Sequence, residues 1–76
     1  MILYTVVPCY NEEDALPETV RILSDKYFTL MRKGMISEES RILLVDDGSS
    51  DDTWNMIREY HEKKPIFCGL KLSRNR

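Results

Sequence analysis

The sequence predicts an α/β chain of order β-α-β-α-β, one half of a three-layer, doubly wound and mostly parallel sheet. Three observations predict it. Short apolar runs at 2–7, 41–45 and 66–72 have strand length, and two longer stretches between them carry apolar residues every three or four positions. The first two runs end directly in acids and turn residues. Strands joined through helices are parallel, and right-handed crossovers give the spatial order 3-2-1. The 76 residues make one domain spanning 1–76, and a chain of that size buries only about 60% of the surface that its unfolded form exposes.

Each element follows from its residues. Residues 2–7 form a nearly continuous apolar run rich in β-branched residues, as suits a strand buried on both faces. Pro8, which has no N–H for a ladder, is expected to end the strand and turn Tyr10 and Glu12 toward the crevice. Asn11 is a candidate cap for the turn that follows, and Pro17 suits the first turn of a helix. That helix should run to about Lys33, with Leu16, Val20, Leu23, Tyr27, Leu30 and Met31 as its apolar stripe and Gly34 as its stop. The second strand is 41–45. A second helix over about 53–63, capped by Ser50 or Asp51, would bury Trp54, Ile57 and Tyr60 before the third strand.

Composition narrows the function. A net charge of −2 with scattered Lys and Arg gives no basic footprint, so nucleic acid is not an expected partner. Cys9 and Cys68 lack any C-x-x-C spacing and read as two separate reduced thiols. No apolar run has membrane length, and the start Met1-Ile2-Leu3-Tyr4 has no basic leader, so the expected location is cytoplasmic.

The residues most informative about chemistry stand at two strand ends. Val45-Asp46-Asp47-Gly48-Ser49-Ser50-Asp51 runs from an apolar strand into paired acids and a turn, and Val6-Val7-Pro8-Cys9-Tyr10-Asn11-Glu12-Glu13 does the same with a proline and an aromatic ring. The carboxyl ends of parallel strands are where open α/β sheets bind ligands. Roughly thirty residues separate the two motifs, room for a helix and a returning strand. In their order and spacing they resemble the amino-terminal, nucleotide-binding part of the family 2 glycosyltransferases, enzymes of the Rossmann-like GT-A fold that use nucleoside diphosphate sugars.

The resemblance covers almost the whole chain and implies a nucleotide-sugar site of Pro8, Tyr10, Glu12, Val45 and Asp47. Pro8 and Tyr10 would flank the base, Glu12 would reach the ribose or base edge, and Asp47 would accept from a ring N–H, which uracil and guanine both offer. The donor is then a UDP-sugar or a GDP-sugar. The start motif, the long first helix and the ending Gly69-Leu70-Lys71-Leu72-Ser73-Arg74-Asn75 are most similar to the polyprenyl phosphate branch, which implies a lipid phosphate acceptor at the cytoplasmic membrane face. The alternatives are a polysaccharide or glycolipid enzyme and a non-catalytic Rossmann-like binding module. No D-x-D follows the third strand. The Mg²⁺ or Mn²⁺ ligands and the catalytic groups are therefore expected beyond Arg76, with no metal ligand and no catalytic residue in this chain.

Other polar residues have plainer readings. Asp46 is expected to make a structural bond to a loop amide, and Asp51 and Asp52 to serve the positive end of the second helix. Glu12-Glu13-Asp14 cannot converge on one cation from consecutive positions. His61 has no second ligand at zinc spacing. Trp54, Met56 and Tyr60 read as packing. Arg74 and Arg76 follow the third strand, either near a diphosphate or as a solvated basic tail. A chain this small, with an apolar first strand at the sheet edge, is also expected to self-associate.

Overall fold

The computed structural model describes residues 1–72. Arg74 and Arg76 lie outside the described residues. The order is β1 (Tyr4–Cys9), α1 (Leu16–Arg32), β2 (Arg41–Asp46), α2 (Thr53–Lys63) and β3 (Phe67–Lys71). The strands form one parallel sheet in the order β1-β2-β3, the α/β arrangement that the sequence predicts.

Register decides which residues enter the core. Thr5 pairs with Ile42 and Ile42 with Phe67, Val7 with Leu44 and Leu44 with Gly69, and Cys9 with Asp46 and Asp46 with Lys71. These rows share one face, because side chains alternate along a strand. The Tyr27 hydroxyl, from α1, bonds the Thr5 hydroxyl on that face and reaches the Arg41 carbonyl at 3.4 Å. From α2, Ile57 packs over Gly69. Both helices therefore lie on the same side, as two right-handed crossovers in one direction require. The core of Cys9, Leu16, Val20, Tyr27, Ile36, Ile42, Leu44, Ile57 and Phe67 fills the space between.

This geometry corrects the expectation that the strands are buried on both faces. Tyr4 and Val6 are 68% and 64% exposed, so β1 alternates between a covered and an open side. Leu70, on the same open side, is 44% exposed. Sheet and helices supply two of the three layers of a doubly wound fold. A second correction concerns Pro8, which does not end β1: the ladder continues to Cys9 against Asp46. β1 is the edge of the described sheet, where a residue without an N–H is tolerated.

The helices follow their stripes closely. α1 buries Leu16, Val20, Ser24 and Tyr27, with Leu23, Leu30 and Met31 partly buried. It stops at Gly34, whose φ of 71° lets Gly34 N–H reach Met31 O and Met35 N–H reach Leu30 O. The exposed pairs of Arg21 with Glu18 and Asp25 add little beyond solubility. α2 is tied to β3 by His61, whose Nδ1 donates to the Phe67 carbonyl at 2.7 Å. That bond accounts for this histidine without a metal.

Gly69 sits where α2 comes closest to the sheet. A Cβ there would stand 2.7 Å from Ile57 Cγ2 and 3.5 Å from the Trp54 ring. Gly69→Ala is expected to lower stability by about 1–3 kcal/mol through overpacking. Denaturant unfolding checks this, and an unchanged midpoint would mean that α2 rides up freely.

Candidate functional site

The loops that leave β1 and β2 run side by side over the carboxyl ends of the strands, and side-chain-to-backbone bonds lock them together. Asn11 takes a positive φ of 49°, a region that asparagine tolerates better than most residues. Its N–H donates to Ser49 Oγ at 2.9 Å and its Oδ1 accepts from Ser50 N at 2.8 Å. Glu12 N–H donates to Thr53 Oγ1 at 2.9 Å, and Glu13 N–H to Asp51 Oδ2 at 3.3 Å. The buried Thr53 hydroxyl in turn donates to Asp51 Oδ1, which also accepts Thr53 N–H at 3.0 Å.

The two acids after β2 have different surroundings. Asp46 is fully buried. Its Oδ1 accepts Ser49 N–H at 3.0 Å, the structural bond expected from sequence, and closes a turn in which Gly48 has a φ of 82°. Its carbonyl accepts Leu72 N–H at 2.8 Å. Asp47 is half-buried, and its N–H reaches Cys9 O at 3.3 Å, which brings it beside the start of the first loop.

Four of the five residues that the sequence nominates gather at this edge. Pro8 and Val45 are cross-strand partners on the open side of the sheet. Tyr10 follows β1 and is 57% exposed, and Asp47 follows β2. Glu12 stands differently. Half-buried at the entrance to α1, it lies near enough to the buried Cys9 for its charge to act on the thiol. Sequence reasoning did not single out the locking set of Asn11, Ser49, Asp51 and Thr53. Their small polar types were visible, but the pairing spans 38 to 41 residues and depends on the fold.

Electrostatics follow from burial and bonding. Burial first, then the charges of Glu12 and Asp46, push the Cys9 thiol up to about 11. The Thr53 hydroxyl, with help from backbone N–H groups, holds the Asp51 carboxyl below its usual range. Among the described residues no group of three or more His, Cys, Asp or Glu side chains could hold a metal ion. No helix among them is long and apolar enough to cross a membrane.

A parallel sheet with paired acids and an exposed ring at its carboxyl edge defines a ligand-binding α/β unit. Glycosyl transferase family 2 matches residues 4–76, and the chain belongs to that family. It is 42% identical over 97% of its length to the protein named uncharacterized glycosyltransferase YkoT of Bacillus subtilis (strain 168), and covers 22% of that relative. It is 46% identical over 75% of its length to the undecaprenyl-phosphate 4-deoxy-4-formamido-L-arabinose transferase of Klebsiella pneumoniae (strain 342), covering 16% of it. The enzyme of the same name from Enterobacter sp. (strain 638) is 38% identical over 76% of the chain and is covered to 16%. The chain thus spans about a fifth of the length of these curated relatives. No solved structure matches it significantly.

The lock can be tested apart from any ligand. Thr53→Val keeps the shape but leaves Glu12 N–H and Asp51 Oδ1 without this partner. It is expected to cost about 1–3 kcal/mol by denaturant unfolding, and a loss under half of that would show that the loops are held elsewhere. A second expectation concerns pH. The folded Cys9 thiol ionises near 11 against 9.0 for an ordinary thiol, so its neutral form is shared by both states below pH 9. Between about 9 and 11 the unfolded chain ionises first, and folding loses roughly 2–3 kcal/mol. Cys9→Ser should flatten that part of the stability curve; parallel curves for the two proteins would refute the assignment.

Proposed function

We propose that this chain forms the nucleotide-binding part of a glycosyltransferase that moves a sugar from a UDP-sugar or GDP-sugar to a polyprenyl phosphate. One observation carries the reading: in a family 2 chain, the bond from Asp47 N–H to Cys9 O ties the backbone of the second motif's acid to the residue just before Tyr10. The acceptor class is supported by relatives named as undecaprenyl-phosphate transferases. The membrane surface, as the place where such a lipid is met, comes with that acceptor.

In this reading the base lies against Tyr10, with Pro8 and Val45 as the apolar flank beneath it. An aromatic face stacks on any base, a contact worth on the order of 1–3 kcal/mol where bases stack on side chains. Asp47 supplies selection, since a carboxylate only accepts and therefore favours a base with a ring N–H. Glu12, anchored through its backbone at the entry to α1, is the candidate for the ribose hydroxyls. The transfer itself is a single inverting displacement: an acceptor phosphate oxygen bonds to the anomeric carbon while the bond from that carbon to the diphosphate breaks. Mg²⁺ or Mn²⁺ would offset charge on the departing diphosphate. This reading assigns the ligands of that ion to parts of the protein outside this chain.

Asp47→Ala is the direct test. Losing a charged acceptor to a base N–H should weaken UDP or GDP binding by about 1.5–3 kcal/mol in calorimetry, with the melting temperature little changed. An unaltered Kd would remove Asp47 from the site. Comparison of UDP with GDP on the unsubstituted protein identifies the base.

A further inference from the structure

Tyr10 stands at the ligand edge without a polar or aromatic partner for its side chain. The ring is exposed, and among the described residues it makes no hydrogen bond and no ring contact. Its direction is therefore governed chiefly by the backbone from which it hangs, since the rotamers open to a side chain depend on φ and ψ. What fixes that backbone fixes the ring.

The chain is pinned on both sides of Tyr10. Before it, the Cys9 carbonyl accepts Asp47 N–H at 3.3 Å. After it, Asn11 N–H donates to Ser49 Oγ at 2.9 Å and Asn11 Oδ1 accepts Ser50 N–H at 2.8 Å, with the Ser50 hydroxyl 3.4 Å from the same oxygen. All of these partners belong to the loop that carries Asp47. A backbone N–H can only donate, so the oxygen of the Asn11 amide is the atom that faces Ser50. Asn11 is also the one non-glycine residue with a positive φ among the described residues, at 49°. Asparagine tolerates that conformation and supplies the acceptor as well; glycine would supply the conformation alone, and alanine neither. The bonds of Glu12 and Glu13 lie farther along and hold the entrance to α1.

We infer that Asn11 is a positioning residue: through Ser49 and Ser50 it ties the backbone of Tyr10 to the loop that carries Asp47, so that the two residues keep one spacing before a nucleotide arrives. The restraint on Tyr10 stands on the bonds themselves, whereas its effect on nucleotide binding rests on the reading proposed above. A ligand that meets a loop already in place does not have to order it, and loss of Asn11 removes that advantage.

Nitrogen-15 relaxation of the Tyr10 amide tests the restraint without a ligand. Its order parameter is expected near about 0.85, as for rigid backbone, and should fall toward about 0.6 in Asn11→Gly, which permits the same φ but removes the bond to Ser50. Equal values in the two proteins would overturn the proposal. Should Asn11→Gly fail to fold, Ser49→Ala takes the acceptor from Asn11 N–H and gives the same comparison. Calorimetry with UDP and GDP then separates positioning from a general structural role. Asn11→Gly should weaken binding about three- to tenfold, yet by less than about twofold in a Tyr10→Ala background, because the residue acts through that ring. An undiminished loss in that background would show that Asn11 acts by another route and refute its role here. A protein that binds neither nucleotide would sink the functional reading, and the relaxation of the Tyr10 amide would still decide the restraint.

Discussion

The bond network around Thr53 and Asn11 is the constraint on which the rest of the ligand edge depends. Two loops without regular structure leave neighbouring strands, and their N–H groups need partners as much as those of any helix. The residues directly before the helices make no capping bond, Ala15 before α1 and Asp52 before α2, although Asp51 Oδ1 accepts the first N–H of α2, that of Thr53. The donors are met across the gap instead, with Glu12 N–H on Thr53, Glu13 N–H on Asp51 and Asn11 N–H on Ser49. Folding of one loop therefore presupposes the other, which makes the strand ends a single object and gives the exposed Tyr10 a fixed base.

The second constraint is chirality. With both crossovers right-handed and the sheet growing in one direction, α1 and α2 share a face and leave the other side of the strands open. The ligand edge sits at the border of these two environments. Residues facing the helices, such as Cys9 and Asp46, are buried; Pro8 and Val45 lie on the open side and Tyr10 is exposed. A helix pressed so close also explains Gly69, where β3 needs a residue without a side chain for Ile57 and Trp54 to pack.

Much of this was legible in the residues. The stripe of Leu16, Val20 and Tyr27 determines α1, Gly34 its end, and the apolar runs the strands, because local periodicity reports burial directly. The two motifs stand together at the carboxyl end of the sheet, as their place at the ends of apolar runs implies. The extent of β1 differs because proline reads as a strand end, although the edge place expected for β1 tolerates a residue without an N–H and lets the ladder run on to Cys9. Burial of β1 on both sides failed for a related reason. A continuous apolar run at 2–7 states what the strand could cover, whereas the sense of the crossovers decides what covers it. The loop lock was invisible since its partners are far apart in sequence.

The acid pair shows how strand periodicity divides labour between adjacent identical residues. Side chains one apart along a strand point to opposite faces; Asp46, the last residue of β2, turns into the core, and Asp47, half-buried, begins the loop. Buried, a carboxylate must be matched oxygen by oxygen or it destabilises the fold. Its environment thereby commits Asp46 to the turn, through Ser49 N–H on Oδ1. Asp47, half-buried past the end of β2, is held instead through its backbone N–H on Cys9 O. Neither acid could take the role of the other without a one-residue slip of β2, and such a slip would turn Ile42 and Leu44 out of the core as well. The register that packs the sheet is thus also the register that sets the two acids in different surroundings.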